Sequence, residues 1–505
     1  MTPYMKLMPP VPVNRYASIL TILTASVIYL FVGGFYAERG MVNADEGFYA
    51  YASFAVMQGQ VPYRDFAYTQ MPVLPYLQGA VMSFSGFGIR QQRWVNVCLG
   101  ALSLALGIAM WNRLKLHPVT SWALIMAWCS CGPLIYYNTI GKTYAMAQLL
   151  IVATGGCLLL KTSPGIKLLL LSLAGTLTLG CRLTMAPAVL ILWIGLVVLH
   201  RKQMSWLLLL CVPLLTVLVI LGPFFFADPL NAIYWNWTYH LQSIMPPHDS
   251  LVLLESFYIV PAIALLVIVG ISILACKRET LRTPAGWIFL AGLIGWLLSV
   301  SLPATFIDYA IPCLPLLIVG FGLLLKQVHL PTSALGLGSL ILLAAITVGV
   351  VKTPRFIAKG YLEAVDRTVG FVQANTKPTD VILTSMPEIP LEAGHPIFPG
   401  LELGKFAVTA EMDDKTADDR KIITFNQLFL AIERRSAPVI VLSGVHSWNF
   451  GWSIPSIRPL TPDYYLKFAE LLLRNYDCVG ANEYFLVFKI HDPLNHALKV
   501  DAHQL

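Results

Sequence analysis

The sequence predicts an α-helical polytopic membrane protein of about eleven transmembrane helices, followed by a C-terminal extracytoplasmic α/β domain. Three observations predict it. The 505 residues are 57% hydrophobic and 12% charged, about half the charged share of an ordinary soluble domain, and the mean hydropathy is +0.68. The apolar residues gather in windows long enough to cross a bilayer core of roughly 30 Å, which takes about 20 residues of helix. The charge also changes character near residue 351. Residues 1–351 hold 18 Lys/Arg and 9 Asp/Glu, whereas residues 352–505 hold 16 and 18 in less than half the length. The two domains are therefore 1–351, within the membrane, and 352–505, in water.

The windows fall near 16–36, 94–111, 119–137, 144–160, 166–181, 184–199, 206–226, 254–275, 285–302, 309–325 and 332–351. The first is about 20 residues long and lacks a small-x-small cleavage site, so it is read as a span and not a cleaved leader. Segment 72–88 is apolar but broken by Pro72, Pro75, Gly79, Gly86 and Gly88. It reads as a re-entrant or juxtamembrane helix, tolerable where protein covers its backbone. Charge then sets the orientation. With a cytoplasmic N-terminus, 12 of the 18 basic residues lie in short cytoplasmic loops, and eight of the nine acids lie outside. A spanning 72–88 would reverse every later loop. The first outer loop is thus 37–93, and the C-terminal domain is extracytoplasmic.

In that domain 361–374 has the spacing of an amphipathic helix, with Leu362, Val365, Val369 and Val372 on one face. Strand-prone runs follow at 380–384, 438–443 and 484–490, with a second helix at 463–475. No phosphate-binding glycine-rich loop occurs. The basic residues stand singly in short loops, which is no nucleic-acid signature. No Cys/His spacing points to a metal, so no cofactor is assigned, and a divalent ion lacks support from ligand spacing.

Chemistry concentrates in the first outer loop: Asn43-Ala-Asp45-Glu46-Gly47-Phe48-Tyr49, Gln58-Gly-Gln-Val-Pro62-Tyr63-Arg64-Asp65-Phe66, and Gln70-Met-Pro72. Ionisable residues at a membrane boundary beside aromatic residues are functional candidates. An ionised Asp45 accepts a proton from a hydroxyl nucleophile. Aspartate is equally a favoured N-cap, so Asp45 is either a base or the cap of a helix over 46–57. Arg64-Asp65 equally reads as a local ion pair. The loop 227–253 carries Tyr234, Trp235, Asn236, Trp237, Tyr239, His240 and Gln242, which suit a sugar ring or an interfacial aromatic belt.

These motifs resemble the first outer loop of bacterial C-type (GT-C) membrane glycosyltransferases, the group of protein mannosyltransferases and aminoarabinose transferases. The resemblance continues in Leu173-Ala-Gly-Thr-Leu-Thr-Leu-Gly180-Cys-Arg182-Leu-Thr184. It implies transfer of a sugar from a polyprenyl-phosphate donor to a hydroxyl acceptor at the outer face of a bacterial inner membrane. It also implies roles: Asp45 as general base, Glu46 as a supporting acid, and Arg182 as the cation meeting the carrier phosphate. Lys142 and Arg64 are further phosphate candidates; Tyr49, Asp65, Asn138 and Tyr309 are substrate candidates. Relatives carry a second acid in the next outer loop, where this chain reads Tyr136-Tyr-Asn-Thr-Ile-Gly-Lys142. That leaves a second acid to Glu46 or Asp65. A competing expectation is a transporter or flippase of lipid-linked sugars. It is disfavoured by the scarcity of acids within the spans.

Overall fold

The computed structural model describes residues 15–243, 261–276, 278–301, 307–327, 357, 360–444, 450, 452–455, 458–459 and 461–491. Helices stand at ten of the eleven predicted windows. They are α1 (Arg15–Arg39), α4 (Ile89–Arg113), α5 (Pro118–Ser130) with α6 (Gly132–Thr139), α7 (Tyr144–Cys157), α8 (Pro164–Cys181), α9 (Ala186–His200), α10 (Trp206–Ile220) with α11 (Gly222–Ala227), α14 (Pro261–Cys276), α15 (Pro284–Ser301) and α16 (Leu314–Leu325). The window 332–351, the start of 254–275 and the expected domain boundary lie outside the described residues.

By length and composition α1, α4, α8 and the stretch Leu183–Gln203 each suffice to cross a membrane, and α5 with α6, bent by 59°, makes a fifth if it is one span. Several further helices are apolar but shorter. The chain is a multi-pass membrane protein. Large apolar side chains face outward along α1 (Leu20, Val27, Phe31) and α10 (Leu210, Leu214, Leu218), as contact with lipid tails allows. The opposite face of α1, with Ala25, Tyr29 and Tyr36, is buried.

Two helices precede α4. Helix α2 (Glu46–Met57) packs against α3 (Val73–Ser85). The 13 residues of α3 extend roughly 20 Å at 1.5 Å per residue, short of a bilayer core. Helix α4 starts at Ile89, five residues before the predicted window, and so draws Arg93 inside the helix. Beyond α11 come α12 (Pro229–Ile233), a π turn at Tyr234–Thr238 and α13 (Tyr239–Gln242).

From residue 360 the chain forms helices around a four-stranded sheet. Helices α17 (Tyr361–Asn375) and α21 (Pro462–Asn475) stand where periodicity predicts them, as do β1 (Ile382–Thr384), β4 (Val439–Ser443) and β8 (Phe485–Ile490). The order is β1–β4–β8–β7, with β7 (Tyr476–Ala481) unpredicted. The β1/β4 pair is parallel, Ile382 opposite Val439, and β4/β8 is antiparallel, Val439 opposite Lys489. Strand β7 carries few β-branched residues and is held as an edge by its ladder to β8. A short parallel pair, β2 (Val408–Thr409) and β3 (Ile423–Thr424), lies alongside, with α18 (Glu388–Ala393), α19 (Asp414–Asp419) and α20 (Phe425–Glu433). Helix α18 packs on α2, and Ile89 N donates to Glu392 Oε1 at 2.8 Å. This part of the chain therefore sits directly on the segment between α1 and α4.

Candidate active site

The site begins with an ion pair that the sequence reading left out. Glu46 and Arg93 both have 0% side-chain exposure, 2.7 Å apart. The guanidinium donates from Nε and Nη2 to the two Glu46 oxygens. Its remaining donors reach the carbonyls of Ala37, Gly40 and Met41 at 3.1–3.2 Å. Glu46 also accepts from Asn43 N and Gly141 N, each at 2.8 Å. Five guanidinium donors and four carboxylate acceptor positions are thus filled. The pair ties together the end of α1, the first loop, α4 and the α6–α7 turn. Glu46 has no acceptor capacity left for a sugar or acceptor, which runs against its expected place as a supporting acid.

That turn rests on buried amides. Gln92 Nε2 donates to Gln78 Oε1, Gln78 Nε2 to Asn96 Oδ1, and Asn96 Nδ2 to Ile140 O. The backbone here comes so close that a Cβ on Gly141 would stand 2.0 Å from Gln92 Oε1. Only glycine fits.

Asp45, at the N-terminal edge of α2, makes no side-chain capping bond. The cap reading therefore fails, because its carboxylate turns to two ammonium groups instead. Lys142 Nζ stands 2.8 Å from Oδ2, and Lys405 Nζ, from the C-terminal part, 3.8 Å from Oδ1. Lys142 also reaches Asp308 Oδ2 at 3.5 Å, and Tyr144 Oη donates to the same oxygen. Burial raises the Asp45 pKa, but Lys142 and Lys405 outweigh it and hold the carboxyl below the usual range. Burial works against the Lys142 ammonium, yet Asp45, Tyr144 and Asp308 keep it well above the usual value. Lys142, expected on phosphate, thus holds two carboxylates. Asp308 is the second acid near Asp45, supplied by a late helix and not by Glu46 or Asp65. Among the described residues no group of three or more His, Cys, Asp or Glu is placed to hold a metal ion.

Arg182 follows the last turn of α8 in extended backbone. It is 4% exposed, and its guanidinium lies between two phenol rings, 4.7 Å from Tyr144 and 4.6 Å from Tyr309. Nη1 donates to Thr143 Oγ1 at 2.9 Å, whereas the buried Nε has no hydrogen-bond partner. Among the described residues Arg182 makes no ion pair. Tyr49 lies within electrostatic reach of Lys142, Asp45 and Arg182, packed on Phe48 and edge-on to Tyr68. Asp45, Lys142, Arg182, Tyr49 and Tyr309 therefore form one cluster with Asp308, Lys405, Tyr144 and Thr143. Its three cations exceed its two carboxylates by one. Such a site attracts an anion and offers an ionised base beside it.

The other sequence candidates lie apart. Asn138 is fully buried and donates to Gln148, so it is not presented to a sugar. Arg64 and Asp65 are a half-exposed pair with each other, 2.7 Å apart, and Asp65 closes a local turn on Val61 N; neither joins the cluster. The aromatic loop divides. Tyr234, Trp235 and Tyr239 are buried and Trp237 is exposed, and His240 Nε2 donates to Thr69 O at 2.8 Å.

One further carboxyl abuts this loop. Glu388 is buried, accepts from Tyr361 Oη at 2.9 Å, and its Oε2 occupies the space of a Gly47 Cβ, 1.9 Å away. Burial pushes its pKa from 4.5 up to about 7. A raised folded-state pKa contributes stability that is complete below the unfolded value and lost as pH rises through the folded one. Glu388→Gln keeps the neutral shape throughout. Compared with their difference at acid pH, the variant is expected to gain roughly 3 kcal/mol on the parent above about pH 8. Thermal unfolding in detergent as a function of pH checks this; a pH-independent difference would count against it.

No family model matches the chain, and no curated protein matches it by sequence. Solved structures do. ArnT from Cupriavidus metallidurans bound to undecaprenyl phosphate superposes with a TM-score of 0.60 at 14% identity, covering 95% of this chain and 99% of that one. Its apo state gives 0.60 at 13% identity, covering 93% and 97%. The arabinofuranosyltransferase AftD from Mycobacteria gives 0.50 at 14% identity, covering 94% of this chain and 40% of that one. The likeness is one of fold: the chain is built like the C-type membrane glycosyltransferases.

Proposed function

We propose that this chain is an integral-membrane glycosyltransferase that moves a sugar from a polyprenyl-phosphate donor to a hydroxyl acceptor. The observation that carries the reading is one buried cluster in which the Asp45 carboxylate meets Lys142 and Lys405 and the Arg182 guanidinium, which makes no ion pair among the described residues, lies over Tyr144 and Tyr309. The fold shared with a structure holding undecaprenyl phosphate supports it.

The reaction is a single displacement. The acceptor oxygen attacks the anomeric carbon and the bond from that carbon to the phosphate oxygen breaks. The electron pair leaves on the phosphate, and the hydroxyl proton goes to Asp45. A carboxylate with a lowered pKa takes the proton late, when the forming bond has made the hydroxyl acidic. Arg182 neutralises the departing phosphate, and a fixed cation in a site shielded from water acts most strongly there. One displacement inverts the anomeric centre. The distribution of basic residues among the loops supports the outer face for this chemistry, with residues 352–505 extracytoplasmic, and the resemblance to bacterial transferases supports an inner membrane.

The test is release of free polyprenyl phosphate from a panel of labelled polyprenyl-phosphate sugars, with and without a membrane extract as acceptor source. Arg182→Ala is expected to reduce kcat by about 10²- to 10³-fold, the usual cost of losing one group that stabilises developing charge. Arg182→Lys should restore part of it. Donor binding without release from any sugar, extract included, would favour a transporter.

A further inference from the structure

We propose that Lys405 is a phosphate-binding residue of the donor site, delivered to it by the C-terminal part of the chain. The inference rests on the transferase reading above and adds to it a contact from outside the membrane helices.

Three observations carry it. First, Lys405 is held in place and not free to wander. It sits in a single helical turn, Gly404–Phe406, entered through a left-handed Gly404 with φ of 64°. Its neighbour Phe406 packs edge-on against Phe48 of α2 at 6.4 Å, and the Lys405 ammonium lies over the Phe406 ring, Nζ 4.8 Å from its centroid.

Second, its ammonium is underused. The side chain is only 19% exposed, yet among the described residues nothing accepts a hydrogen bond from Nζ. Asp45 Oδ1 at 3.8 Å is within ion-pair range but beyond hydrogen-bond range. Lys142, at 2.8 Å, already occupies that carboxylate. A largely enclosed ammonium with open donors has room for another acceptor.

Third, the charges balance only with an added anion. Lys142, Lys405 and Arg182 face Asp45 and Asp308, and one phosphodiester brings the cluster to neutrality. Burial, and repulsion from Lys142, outweigh Asp45 and hold the Lys405 pKa below the usual lysine value. A bound phosphate would reverse this.

The test is binding to the full-length protein in nanodiscs. Undecaprenyl phosphate, undecaprenol and inorganic phosphate are compared on the parent chain, Lys405→Met and Lys405→Arg. Methionine keeps an unbranched side chain of similar bulk without the charge, and arginine keeps the charge. Lys405→Met is expected to weaken undecaprenyl phosphate by about 10- to 100-fold, as for one lost hydrogen bond to a charged group. Undecaprenol should bind all three chains alike, and Lys405→Arg should stay within about 3-fold of the parent for the phosphate. Competition by inorganic phosphate in the parent but not in Lys405→Met would place the contact on the phosphate itself. Should Lys405→Met unfold, Lys405→Gln carries the same expectation. Equal affinity of the parent and Lys405→Met for undecaprenyl phosphate overturns the role of Lys405 and leaves the transferase reading standing. A parent chain that binds undecaprenyl phosphate no better than undecaprenol overturns both.

Discussion

Asp45→Asn is expected to lower kcat for sugar transfer by about 10²- to 10⁴-fold, the range for removing a general base. Donor affinity should hold or improve. Asparagine has nearly the shape of aspartate, so the loop keeps its backbone, and the Asn43 Oδ1 bond to the residue-45 amide at 3.1 Å is untouched. What disappears is the proton acceptor and one negative charge. Lys142 and Lys405 then lose a counter-ion and become stronger anion ligands. The signature is therefore a fall in kcat without a rise in KM for donor. Steady-state release of polyprenyl phosphate, paired with undecaprenyl phosphate binding, reads both quantities. A variant with undiminished kcat would remove Asp45 as the base. One whose donor affinity falls as far as its rate would make Asp45 a binding group.

Arg93→Ala is expected to destabilise the protein by about 3–5 kcal/mol, because breaking a buried ion pair leaves a charge without compensation. Here the loss extends beyond one partner. Glu46 would keep only the Asn43 and Gly141 amides, and three carbonyls at the end of α1 would lose their donor. The loop that carries Asp45 and the turn that carries Lys142 both hang from this pair. Activity should fall with stability, and more steeply on warming. The double variant Glu46→Gln/Arg93→Met should recover much of the stability, since it removes both charges together. Thermal unfolding in detergent measures both. A single variant that melts with the parent would show that the first loop is held by other contacts.

The membrane part was legible because span formation depends on local sums. Twenty apolar residues declare a helix wherever they fall. The same holds for α17 and α21, whose polar and apolar faces repeat at helical spacing. It failed at β7, which has little strand character of its own and exists through β8. It failed also at the start of α4, where Ile89–Arg93 carries two arginines and two glutamines. Hydropathy ends the span there, but the helix continues because five hydrogen bonds, two to Glu46 and three to backbone carbonyls, receive Arg93.

The site divides in the same way. Asp45, Tyr49, Lys142, Arg182 and Tyr309 were marked on residue type and motif, and they lie together. Glu46 was marked on its charge beside Asp45, which says nothing of the arginine 47 positions away that consumes it. Arg64, Asp65 and Asn138 belong to the same motifs or loops but point to local partners. Asp308 and Lys405 carried no mark in the sequence, because neither belongs to the first-loop motif. By itself the sequence determined the fold class, the order of apolar helices and the stretch of loop where charge gathers, because hydropathy and charge are carried by consecutive residues. Only the tertiary structure decided which of those charges are spent and which are free. That depends on distances of 3–4 Å between residues hundreds of positions apart, and on how little water remains around them to screen one from another.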